Sequence, residues 1–192
     1  MQFRRQIMIA AAATLAAPAV LRAQVAPSAQ SGSIADALAA DGRFGSFIQI
    51  LQHSGGLATL RGAGNFTLFA PTDAGVDTIP ANIRATLTPT PTNSNSSGGQ
   101  DPVALAAITA LHIVDGVHPI ASFQAPTTML RSRNGTMLKV DRTAENNLLV
   151  TLGDNAGPGV GGFNMPRPAR VLVPVITAAN GIILPIDHAL LK

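Results

Sequence analysis

Asn65-Phe66-Thr67-Leu68-Phe69-Ala70-Pro71-Thr72-Asp73 reads as a buried strand followed at once by a helix start. Phe66 to Ala70 carries no charge and combines two phenylalanines, a leucine and a β-branched threonine, a composition that suits a strand covered on both faces. Pro71 withholds a backbone N–H and stops the run. Thr72 or Asp73 then offers a side-chain oxygen to cap a short helix. Gly62 and Gly64 punctuate the turn that leads in.

Upstream of this strand the pattern is helical. Ser33-Ile34-Ala35-Asp36 has the Ser-x-x-acid form of a capping box, which predicts a helix to about Ala40. Asp41-Gly42 interrupts it. Phe44, Phe47, Ile48 and Leu51 recur at helical spacing on one face of a second helix, which Gly55-Gly56 ends. Leu57 to Leu60 is a further short apolar turn. Downstream, Pro80 opens a helical segment to about Leu87. Thr88 to Gln100 is built of Thr, Ser, Asn, Gly, Gln and Pro and predicts a disordered surface insertion. Asp101-Pro102 supplies an N-cap and a first helical residue for a helix through Leu105, Ile108 and Leu111.

From Ile113 the signals become those of strands. Asn134-Gly135 lies between Thr127–Leu130 and Met137–Val140, a hairpin signature. Asn146-Asn147 precedes a strand at Leu148–Leu152, and Asp154–Pro168 is a Gly/Pro-rich loop. Arg170–Ile176 and Ile182–Ile186 read as two strands about the turn Thr177-Ala178-Ala179-Asn180-Gly181. Helices dominate the first half and strands the second, so the fold class is α+β.

The chain has 192 residues, 46% hydrophobic and 12% charged, which suits one domain with a real core. It has no cysteine, which excludes disulfides, thiolate metal sites and a cysteine nucleophile. The formal charge of +3 resides in Arg4, Arg5 and Arg22; beyond them ten Lys and Arg face ten Asp and Glu. A neutral body, in a chain whose only aromatic residues besides four His are seven Phe, is poorly suited to nucleic acid. Arg4-Arg5, the uncharged run Ile7–Val20 and Leu21-Arg22-Ala23 have the order of an export signal over residues 1–23, with a flexible leader over 24–32. The apolar run is too short to cross a bilayer, so no transmembrane segment is expected after cleavage. Phe3-Arg4-Arg5-Gln6-Ile7-Met8 resembles a twin-arginine signal, which places the protein in the periplasm or outside the cell.

Three segments resemble the fasciclin domain in order and spacing. They are Thr67-Leu68-Phe69-Ala70-Pro71-Thr72-Asp73, Leu111-His112-Ile113-Val114-Asp115-Gly116, and Ala179-Asn180-Gly181-Ile182-Ile183-Leu184-Pro185-Ile186-Asp187-His188 with Ala189-Leu190-Leu191. The resemblance covers about residues 33–192. It implies a single fasciclin-like domain, a β-sandwich or wedge with helices packed along one side. Thr67, Phe69, Pro71, Thr72, Asp73, Asn180, Gly181 and Asp187 are its structural motif residues, with Asp187 bracing the last turn through backbone hydrogen bonds. It further implies non-catalytic binding in adhesion or matrix association, with a protein, polysaccharide or lipid partner and no cofactor. Leu111 stands where the family has a tyrosine in a region that in animal relatives is linked to integrin contact.

Other chemistry is weakly supported. His112, Asp115 and His118 match no common zinc spacing, so no metal is expected. His53-Ser54-Gly55-Gly56 lacks a nucleophile elbow, and Gly157-Pro158-Gly159 leads into no helix that would cradle phosphate. Glu145 is the single glutamate, so paired carboxylates are hard to assemble. The alternatives to adhesion are a periplasmic carrier with an apolar pocket and, further off, a hydrolase or metalloenzyme using His112 or His118. Binding residues favour loops on rigid scaffolds, which points to Phe163 and Met165 as apolar anchors and Arg167 as a polar contact, the equal alternative being that Phe163 folds back on the sheet as ordinary core. His112 marks a second candidate surface, or else is a partly buried, hydrogen-bonded histidine that braces the helix end.

The export reading predicts Gln24 as the mature N-terminus and loss of twin-arginine transport in Arg4→Lys/Arg5→Lys. N-terminal sequencing and fractionation check both, and normal export of the double variant would leave the general secretory route instead.

Overall fold

The computed structural model describes residues 32–87, 102–153 and 167–191. The expected signal, the leader up to Ser31, the Thr88–Gln100 insertion with Asp101, and residues 154–166 of the Gly/Pro loop lie outside the described residues.

The expected capping box forms at the first helix, α1 (Ile34–Asp41): the Ser33 hydroxyl accepts from the Asp36 N–H, and the Asp36 carboxylate accepts from the Ser33 N–H at 2.9 Å. The Ser33 hydroxyl, which donates to the same carboxylate at 2.7 Å, and then the Ser33 N–H hold the Asp36 carboxyl below its ordinary pKa. Helices α2 (Gly45–His53) and α3 (Gly56–Arg61) follow, then strand β1 (Phe66–Pro71) and helix α4 (Asp73–Asp77). The strand runs through Pro71 instead of stopping before it, because Pro71 closes the ladder at its last position, opposite Ile186.

The two capping candidates after β1 divide the work. Thr72 caps α4, its hydroxyl accepting from Gly75 N–H at 3.3 Å. Asp73 reaches back across the chain and caps α2, accepting from Ser46 N–H at 2.7 Å and Gly45 N–H at 3.3 Å. Phe44 precedes α2 and has no capping oxygen of its own, so an acid 27 residues away supplies it.

After α5 (Ala81–Leu87) and α6 (Pro102–His112) come β2 (Ile113–Asp115), a 3-10 turn at Ile120–Ser122, β3 (Thr127–Arg131), β4 (Met137–Arg142), β5 (Leu148–Leu152), β6 (Ala169–Arg170), β7 (Ile176–Ala178) and β8 (Gly181–Ile186). They form two four-stranded sheets, one ordered β2-β1-β8-β7 and the other β3-β4-β5-β6. The single strand expected over Arg170–Ile176 is in fact two. β6 pairs with β5 in the second sheet and β7 with β8 in the first, with Val171 bridging to Ile186 between them. An apolar run alone does not show where a strand changes sheets.

The described residues form three layers: helices, first sheet, second sheet. β1 and β8 lie side by side in parallel, from Phe66↔Gly181 to Pro71↔Ile186, and are buried along their whole length. Alternate side chains serve two cores. Phe66, Leu68, Ala70 and Ile183 join Ile34, Leu38, Phe47, Leu51 and Leu60 under the helices. Phe69, Ile182, Leu184 and Ile186 join Leu130, Leu138, Val140, Val150 and Leu152 between the sheets. This is the sandwich flanked by helices on one side that the motifs imply.

Phe69 is fully buried between the sheets. Phe69→Ala is therefore expected to cost about 3–5 kcal/mol, the range for emptying a buried Phe site. Urea unfolding measures it, and a loss under about 1 kcal/mol would mean that the inter-sheet core does not depend on this ring.

Candidate functional site

The first sheet ends at an edge strand, β2, and the chain leaves it through Gly116, whose φ of 94° suits glycine. Thr67, fully buried in β1, fixes this exit: its hydroxyl donates to the Gly116 carbonyl at 2.7 Å and accepts from His118 N–H at 2.8 Å. His118 is thereby set against Phe123, with ring centroids 6.4 Å apart.

The β3–β4 hairpin forms the facing wall. Its turn spans 132–136, longer than the two-residue Asn134-Gly135 link, and only Gly135 has positive φ (87°). Asn134 instead uses its side chain, accepting from Thr136 N–H at 2.9 Å and donating to the Ala107 carbonyl of α6 at 3.3 Å. Arg133 N–H donates to the Ile113 carbonyl at 2.8 Å, and Ser132 bridges to Val114, so the hairpin is tied to β2.

Between these walls is an open cleft of about 530 Å³ whose lining includes Asp115, His118, Met129, Arg131, Arg133 and Val114. Arg133 lies over the Phe66 ring at 5.3 Å and 3.6 Å from the Asp115 carboxylate. Met129 is 47% exposed, and Arg131 is also exposed. The cleft thus offers a thioether and two guanidiniums beside one carboxylate.

The sequence candidates separate. Phe163 and Met165 lie outside the described residues; Arg167 is exposed just before β6. The loop's other stem, Gly153, lies against the cleft wall, since a Cβ there would sit 2.8 Å from the Met129 methyl and 3.1 Å from Met137 Cβ. His112 is not a surface residue: it is 1% exposed, and both ring nitrogens are engaged within the protein. Nδ1 donates to the Ile108 carbonyl at 2.8 Å, which leaves Nε2 to accept Leu190 N–H at 3.0 Å. The ring also lies against Phe47, centroids 5.3 Å apart. His112 joins the end of α6 to the C-terminal segment and is a brace, not a direct surface contact.

His112, Asp115 and His118 do not converge, and among the described residues no cluster of three metal-ligating side chains exists. Ser54, the serine of His53-Ser54-Gly55-Gly56, accepts from the Thr109 hydroxyl at 2.7 Å and from Gly56 N–H at 3.3 Å, a helix-end role. Asn180 accepts from Ile34 N–H at 2.7 Å and donates to the Leu60 carbonyl at 2.7 Å, tying the last turn to α1 and α3. Asp187 accepts from Arg170 N–H at 2.7 Å, which joins the end of β8 to β6.

A profile of the Fasciclin domain matches residues 42–192. The chain belongs to the fasciclin-domain family. Among solved structures, it is similar to a FAS1 domain pair from the insect cell adhesion molecule Fasciclin I, with a TM-score of 0.64 and 16% identity. The match covers 85% of this chain and 52% of the other, so this chain spans about half the length of that structure. At that identity the likeness is one of fold. No curated protein sequence matches this fasciclin-domain chain. The cleft residues Met129, Arg131 and Arg133 escaped the sequence reading. Their signal was the charge distribution, in which 33–126 holds three Lys/Arg against six Asp/Glu and 127–170 six against three.

Burial lowers the His112 pKa to about 4, outweighing the Ile108 hydrogen bond that favours its protonated form. The unfolded chain takes up this proton near 6.5, the folded one only near 4. Stability is therefore full above pH 6.5 and falls as the pH drops toward 4, by up to about 3 kcal/mol. Urea titrations across this range check the dependence, and His112→Gln is expected to flatten it. An unchanged slope in that variant would assign the dependence elsewhere.

Proposed function

We propose that this fasciclin-domain protein is an exported, non-catalytic binding module that engages its partner at the cleft between β2 and the β3–β4 hairpin. The observation that carries the reading is the cleft itself: two rigid walls present Met129, Arg131 and Arg133 outward. Methionine adapts its shape to an apolar surface, and arginine gives directional donors to carboxylates. Loops tied to a rigid sandwich are the usual place for such contacts. Gly153, the residue before the Asp154–Pro168 loop, lies beside Met129 and Met137, which supports keeping Phe163, Met165 and Arg167 as further proposed contacts.

A carrier for a small apolar ligand calls for an enclosed apolar cavity. The cleft is open and mixes charged with apolar lining, which favours the binding module. A family described through an insect cell adhesion molecule gives the adhesive reading further support. The location proposed is the periplasm or the cell exterior, following Arg4-Arg5 and the apolar run Ile7–Val20.

The chain starting at Gln24 is expected to be retained on envelope or exopolysaccharide fractions of its own source cells. Met129→Ser/Arg131→Ser/Arg133→Ser should keep the wild-type circular dichroism and lose at least about tenfold in retention, the scale of one or two lost charge-assisted contacts. Phe163→Ser/Met165→Ser/Arg167→Ser should weaken retention less. Undiminished retention of a folded cleft variant would move the site away from β2 and β3.

A further inference from the structure

β3 is an edge strand, and its hydrogen bonding shows which backbone groups are spent. At one end of its ladder Arg142 N–H donates to the Pro126 carbonyl at 2.9 Å; at the other Ser132 N–H donates to the Thr136 carbonyl at 2.9 Å. In an antiparallel pair such residues alternate. The even-numbered residues therefore turn their backbone groups toward β4, and Thr127, Met129 and Arg131 turn theirs away. β2 approaches the hairpin at Val114–Ser132 and at the Arg133–Ile113 bond. Among the described residues no strand lies beside Thr127 and Met129. Two N–H and two C=O groups thus form an open template.

The charge around that template is one-sided. Across β2 and the β3–β4 hairpin, Arg131, Arg133, Lys139 and Arg142 stand against Asp115 and Asp141, a net +2, with Asp115 3.6 Å from Arg133. Asp141 is already held by Lys139 at 2.9 Å and by the Thr127 hydroxyl at 2.6 Å. A second copy docking edge to edge would bring another basic layer to this one. An acidic chain is complementary in charge.

We propose that the edge of β3 takes an extended acidic polypeptide segment as an added strand, its backbone pairing with Thr127 and Met129 and its carboxylates meeting Arg131 and Arg133. Alternate side chains of an added strand fall on one face, here the face that carries Met129 and Arg131, so an acidic-apolar alternation fits best. The inference rests on the binding role assigned to the cleft and names the partner chemistry.

The probe is a fluorescein-labelled peptide of alternating Glu and Val, seven residues long, titrated into the full chain and followed by anisotropy. Saturable binding that weakens with salt is expected, with a Lys-Val counterpart binding at least about tenfold more weakly. Backbone N-methylation of the probe at alternate residues should cost a similar factor in one of its two registers and leave the charge unchanged. Amide exchange should slow at Thr127 and Met129 when the probe binds. Arg131→Glu/Arg133→Glu should reverse the preference toward the Lys-Val peptide. Equal binding of both N-methylated registers would reduce the interaction to charge alone and overturn strand addition. Tighter binding of oligogalacturonate than of the peptide would assign the edge to acidic polysaccharide. Absence of peptide binding, with cleft-dependent retention on envelope fractions intact, would sink the acidic strand and leave the binding role standing.

Discussion

The parallel ladder between β1 and β8 is the constraint on which the other layers depend. It joins residues more than a hundred positions apart along six register pairs. Its first rung requires Gly181, where φ is 154° and a Cβ would overlap the Phe66 carbonyl oxygen. No other residue combines that backbone angle with so close an approach. Once the rung forms, each of the two strands has one face toward the helices and one toward the second sheet, so both cores are organised by a single pairing. Non-local pairs of this kind carry a loop-closure cost before they yield contacts. The polar groups of Asn180 offset some of it by satisfying the start of α1 and the end of α3 from the same turn.

Much of this was legible because local chemistry agreed with global placement. The capping box at Ser33 and the apolar run at Phe66–Ala70 announced their elements, and the Asn180-Gly181 turn showed where β8 begins. Other features were hidden because their meaning is relational. Nothing local to Asp73 says that it caps α2, since the N–H groups it serves lie 27 and 28 residues earlier. The passage from β6 to β7 is apolar throughout in sequence, yet it changes sheets between Arg170 and Ile176. Periodicity reports which residues are buried and is silent on which sheet buries them.

His112 illustrates the same limit at the site. A histidine beside a turn and near Asp115 can be read as a contact or as a brace. Its environment decides: both nitrogens are spoken for inside the protein and Phe47 covers the ring. A neutral imidazole donates to the Ile108 carbonyl from one nitrogen and accepts from Leu190 N–H at the other, both in the plane of one rigid ring. That bond pair fixes the C-terminal segment to α6, and Asn134 ties the hairpin to the same helix at Ala107. One helix therefore positions the C-terminal segment from its last residue and a wall of the cleft from its middle.

The cleft is consequently a product of the architecture more than of any motif. Thr67 illustrates this from inside the signature itself. Its hydroxyl is buried and would be costly to leave unpaired, and it finds partners in Gly116 and His118, on the rim of the cleft. A residue whose type is set by the interior thus shapes the exterior. The charges on the facing hairpin are under no such demand. Arg131 is exposed, and among the described residues Arg133 meets the partly screened Asp115 carboxylate and the Phe66 ring. Exposed ion pairs of that geometry add little to stability. The packing of the fold accounts for Thr67, Phe69, Asn180 and Gly181, whereas it makes no demand on Arg131 and Arg133, which is the reason the proposed binding role is placed on them.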